Sequence, residues 1–140
     1  MTNNTLSKPL GISDQSGEDF IGELLDGAPS HPIIFDRIQN TAKYGEIIFD
    51  FVLCGNLLDK KTFTYEELYK SNRQKYDKLI NLARKAQASI TIVCYSNHGC
   101  TGFNEVLTFY ISKSDYNNVH RSLYSREEFS TRFRKINSGE

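Results

Sequence analysis

One stretch of the chain constrains everything around it: between residues 64 and 87 apolar side chains recur every three or four positions, while the run before it alternates at period two and the runs after it are rich in β-branched and aromatic residues. A helix therefore sits between pairs of strands. Thr64 and Glu67 have the spacing at which two side chains each satisfy a free backbone N–H of the first turn, which marks the start. Leu68, Tyr69, Tyr76, Leu79, Ile80 and Ala83 define a core face, and Lys70, Arg73, Lys75 and Lys78 turn toward solvent. One long helix over 64–87 is expected.

Upstream, 33–38 and 46–54 read as strands joined by a turn at 40–45, a hairpin. In the second, Ile47, Phe49, Phe51 and Leu53 share one face, and Ile48, Asp50, Val52 and Cys54 share the other. The Asp50 charge marks that second face as wet or partly covered. Downstream, 89–95 and 106–111 are rich in β-branched and aromatic residues, and a polar bridge over 112–118 leads to a last helix. There Ser125 and Glu128 repeat the capping-box spacing, with Phe129, Phe133 and Ile136 facing inward. Nearer the N-terminus, 1–15 reads as a flexible lead-in to a short helix. Ser16 caps it, Phe20, Ile21, Leu24 and Leu25 form its stripe, and Gly27 with Pro29 stops it.

The order is thus α-β-β-α-β-β-α. Adjacent strands on short connections favour antiparallel pairing, so the expected fold is α+β: a two-layer sandwich whose antiparallel sheet of about four strands carries its helices on one face. A chain of 140 residues is large enough for a single domain over 1–140 without metal or disulfide staples. Nine Phe and eight Tyr supply the core that a disordered chain lacks.

The formal net charge is zero, which gives the whole molecule no strong pull toward nucleic acid or acidic membrane. No apolar run is long enough for a spanning helix, so no membrane partner is expected. The odd set Cys54, Cys94 and Cys100 lacks paired spacing and suits a reducing, cytoplasmic compartment.

The loop over 96–103, Ser-Asn-His-Gly-Cys-Thr-Gly-Phe, is the most unusual local sequence. Cys94, His98 and Cys100 are soft ligands at short range and thus weak zinc candidates, since zinc sites supply ligands in closely spaced pairs. Cys100 with His98 or His120 would make a nucleophile and base, although no orienting third residue can be named. Gly99 and Gly102 permit a backbone that gathers N–H groups around an anion, and they equally serve any tight hairpin. The acidic pairs Glu18–Asp19, Glu66–Glu67 and Glu127–Glu128 all fall in first turns of helices, where the dipole explains them.

No Walker A loop, dinucleotide fingerprint, HExxH, nucleophile elbow or paired CxxC occurs, so neither a cofactor nor a metal is expected. The leading expectation is a non-catalytic interaction protein, a regulator, inhibitor or adaptor that binds a protein partner. Its contact surface would draw on arginines and on Tyr95, Phe103, Tyr110, Tyr116 and Tyr124. The alternative is a nucleic-acid- or nucleotide-binding module built on the basic helix and the loop. Its residues would be Lys70, Arg73, Lys75, Lys78, His98, Gly99, Gly102, Phe103 and Arg132, the last if both basic helices cover one face. A small enzyme with a Cys/His site in the loop comes third. An exposed strand edge would also let a second copy pair.

Overall fold

The computed structural model describes residues 36–138, together with Leu24 and Asp26. The chain divides into units Met1–Pro32 and Ile33–Glu140, and every element below belongs to the second. Apart from Leu24 and Asp26, the helix expected from Ser16 to Gly27 lies outside the described residues, as do the first residues of the strand expected over 33–38.

Five strands form one sheet in sequence order: β1 (Arg37–Thr41), β2 (Gly45–Leu53), β3 (Ser89–Tyr95), β4 (Glu105–Ile111) and β5 (Val119–Ser125). A β1–β2 hairpin forms, but β1 runs on to Thr41, into the stretch expected as the turn, and Gly45 at φ 70 closes the shorter turn that remains, a backbone that favours glycine. β3–β4 and β4–β5 are also antiparallel, but β2 and β3 run parallel. The expected all-antiparallel sheet of four strands is therefore corrected to a mixed sheet of five, within the α+β class. The parallel pair follows from the connection: the helical segment lies between β2 and β3 and returns the chain to the same end of the sheet.

That segment is two helices, α1 (Tyr65–Ser71) and α2 (Arg73–Ala86), rather than one. Thr64 and Glu67 make the reciprocal cap at the start. The break falls at Asn72, whose N–H closes α1 on the Tyr69 carbonyl while its Oδ1 accepts from the Lys75 N–H to open α2. A short amide that bonds its own neighbouring backbone competes with helix continuation, and here it wins. α3 (Arg126–Asn137) carries the second capping box, from Ser125 and Glu128.

Helices cover both faces of the sheet, not one. Leu68, Tyr76, Leu79 and Ala83 of α1 and α2 pack on Ile48, Ile90, Ile92, Leu107 and Phe109. Phe129, Phe133 and Ile136 of α3 pack on Ile47, Phe49, Val93 and Val106 on the other face, with Phe133 edge-on to Phe49 at 5.4 Å between centroids. The molecule thus has three layers where two were expected.

Asp50 does not make its face wet. It is 2% exposed, beneath α2, where the Lys75 ammonium stands 3.0 Å from its Oδ2. Burial is the largest influence on Asp50 and raises its carboxyl above the usual range, with Lys75 opposing. A folded value above the unfolded one means that the stability this group lends is full below pH about 4 and lost as pH rises through the folded value. Lys75→Met should therefore cost on the order of 3 kcal/mol at pH 7, by leaving a buried charge uncompensated. Most of that loss should return near pH 4, a comparison that denaturant melts at the two pH values will make.

Tyr116 ties the far end of α2 to the sheet: its hydroxyl donates to the carbonyls of Ala88, at 2.7 Å, and Ala83, at 3.0 Å. Tyr116→Phe should lower stability by about 1–2 kcal/mol, a drop of several degrees in Tm by calorimetry.

Candidate functional site

The 96–104 loop is built as a braced turn. Gly99 and Gly102 both adopt positive φ, 88 and 81. The N–H groups of Cys100, Phe103 and Glu105 donate to Asn97, Cys100 and Gly102 carbonyls, and the Thr101 N–H donates to Asn56 Oδ1. Four N–H groups in and next to the loop, those of Cys100, Thr101, Phe103 and Glu105, are thereby engaged within the protein. Arg126 donates to the carbonyls of Phe103 and Ser96, both at 2.8 Å, and lays its guanidinium over the Phe103 ring, which meets His98 at 4.9 Å.

Lys60 completes the brace. It is 2% exposed, and its ammonium donates to Ser96 Oγ at 2.5 Å and to the Gly102 carbonyl at 2.9 Å. A lysine beside a serine is an activating arrangement when it opens to substrate. Here Ser96 is itself 1% exposed, and the pair works as a clamp.

Two of the three cysteine sulfurs are also enclosed. Cys54 and Cys94 are buried neighbours at the ends of β2 and β3, whereas Cys100 and the exposed His98 lie out in the loop. Cys94 holds Cys54 down to about 7, with Lys60 helping, and Cys94 itself is pushed up by its bond to Cys54 and by burial. Cys94, His98 and Cys100 do not converge. Among the described residues no three His, Cys, Asp or Glu side chains are placed to hold a metal.

The basic residues are divided. Lys70, Arg73 and Lys78 lie on α1 and α2, and Lys75 turns inward to Asp50. Arg132 lies on α3, across the sheet, so the condition for one continuous basic surface is not met. Among the described residues no helix is long and apolar enough to cross a membrane.

The α3 face offers a different feature. A sheet of five strands is about 20 Å wide, and a helix with its side chains is about 10 Å across. Two helices cover one face, but among the described residues α3 alone covers the other. No residue of α3 is fully buried. Between α3 and the sheet lies a cleft of ≈ 240 Å³ whose lining includes Tyr44, Phe49, Tyr110, His120, Tyr124, Phe129 and Arg132. Arg132 stacks over Tyr124 at 4.8 Å and makes no hydrogen bond or ion pair among the described residues.

A second depression across α3 has Asp36 and Arg126 on its rim, and both are engaged. Asp36 Oδ2 accepts from the Phe51 N–H at 2.6 Å, and Arg126 holds the loop. Of the aromatics expected at a contact surface, Tyr110 and Tyr124 reach the cleft. Tyr116 is a latch and Phe103 a stacked brace. Tyr44 was not among the expected residues, since its position depends on the β1–β2 turn.

Comparison with protein-family models, with curated proteins and with solved structures found no match.

Lys60→Met should loosen the 96–104 loop, since a buried carbonyl and a serine lose their donor at a cost of about 1–3 kcal/mol. Hydrogen exchange should quicken by roughly 10-fold or more in that loop and stay unchanged in the middle of β3.

Proposed function

We propose that this protein is a small non-catalytic regulator, inhibitor or adaptor that acts by binding a protein partner through its α3 face. One observation carries the reading: among the described residues α3 alone covers this sheet face, and beside it lies an aromatic cleft lined by Arg132, which makes no hydrogen bond or ion pair with them. Tyrosine and arginine supply large contact area at modest entropic cost and dominate the energetics of many interfaces. The chemistry-bearing groups elsewhere support a binding role by being occupied: Lys60, Ser96 and Cys94 are sealed, and Lys75 is paired. Free cysteines, two of them buried, support a cytoplasmic setting. For the rival reading, phosphate binding along 64–87, Lys70, Arg73 and Lys78 remain, without Lys75 or Arg132 beside them.

Site-specific photocrosslinking in the expressing cells separates the two. With p-benzoylphenylalanine at position 124, irradiation should give a covalent adduct with one protein. The adduct should fall several-fold with Arg132→Glu, and none should form with the probe at position 78. Adducts from position 78 instead, or adducts with nucleic acid, would sink the reading.

A further inference from the structure

We propose that the partner supplies an extended, acidic segment that adds to the sheet beside β5 as a sixth strand, with a carboxylate against Arg132. The proposal rests on the α3 face being the contact surface, and it names what that surface recognises.

β5 is the last strand of the sheet, paired with β4 in unbroken register from Glu105↔Ser125 to Ile111↔Val119. On its outer side, no backbone–backbone hydrogen bond from Val119–Ser125 occurs among the described residues. Such an edge is a row of donors and acceptors that matches another extended chain, and proteins usually guard it with a proline, a bulge or an outward charge. β5 has none of these guards. Its one formally charged side chain, Arg121, is turned onto the α1 face, where it donates to the carbonyls of Phe63 and Lys60. The opposite edge differs: β1 has five residues, and Arg37 bonds Asn137 of α3 at 2.8 Å.

The edge and the cleft are continuous. His120, Ser122 and Tyr124 of β5 are the outer wall of the cleft, so a strand about 4.8 Å beyond them would put every second side chain on the same face. Arg132 already lies over Tyr124 and is within side-chain reach of that added strand. It is also the one formally charged residue lining the cleft, with no carboxylate beside it in the lining. Glu128, one turn away on α3, has its Oε1 held by the Ser125 N–H and is attracted by the Arg132 charge without forming an ion pair with it. An acidic side chain is therefore the complement on this face. On the other face the exposed Leu123 suits an apolar one, so the segment should alternate acidic and apolar residues.

The test uses the full chain and a phage-displayed library of short random peptides. Enriched peptides should alternate acidic and apolar residues. When one is resynthesised with single backbone N-methyl groups, every second position should weaken Kd by roughly 10-fold or more, and the positions between should not. Arg132→Glu, whose fold is checked by circular dichroism, should weaken the parent peptide by a similar factor. A flat N-methyl profile combined with a strong Arg132→Glu effect overturns strand addition and leaves the α3 face as the contact surface. Binding that ignores Arg132, or a library that yields no binder, overturns the acidic strand. A loss of the position-124 crosslink in addition removes the contact surface itself. A homodimer that pairs through β5, seen by native mass spectrometry, overturns the proposal in favour of a second copy.

Discussion

The parallel pairing of β2 and β3 is the constraint on which the rest of the molecule depends. It places Ile48 beside Ile90 and Val52 beside Cys94, and it requires the intervening chain to travel back along the sheet. That return path is α1 and α2, so their position on one face follows from it. With that face taken, α3 finds its apolar partners only on the other, where Phe49 and Val93 await Phe129 and Phe133. The three layers are one choice of strand direction worked through.

The two faces are then finished to different standards. The α2 side closes around fully buried residues such as Leu79, Ala83 and Phe109, and it encloses a carboxylate with its ammonium partner. The α3 side keeps its helix half-buried along its whole length. Among the described residues two helices close one face and a single helix leaves the other partly open, so the division follows from helix number. Polar braces occur on both sides, Tyr116 on one and Arg126 on the other, while Arg132 is stacked on Tyr124 and makes no hydrogen bond or ion pair among the described residues.

Much of this was legible where the physics is local. Both capping boxes, at Thr64–Glu67 and Ser125–Glu128, place their helix starts correctly, because each depends on a few consecutive residues. β2 was plain from alternation, and β3 and β4 from their β-branched and aromatic content. Strand β5 was not, since Val-His-Arg-Ser-Leu-Tyr-Ser is an edge strand with both faces half wet and reads as polar linker. The break at Asn72 was hidden by an apolar period that continues through it. Asp50 looked like a mark of solvent because its partner lies 25 positions away on another element. Arg132 and Lys70, Arg73 and Lys78 were candidates for one surface, and which layer each helix joins is decided by non-local pairing that no window of sequence contains.

Arg121 shows how such pairing limits change at a single position. In a list of residues it is an ordinary charge on a peripheral strand, the kind of position that drifts freely between lysine and arginine. Its planar fork, however, reaches two carbonyls in the turn before α1, those of Lys60 and Phe63, a geometry that a point charge on a flexible stem does not reproduce. Insertions or deletions between Cys54 and Thr64 are therefore tied to position 121. In any lineage of this protein the length of that turn and the identity of the residue on β5 should change together.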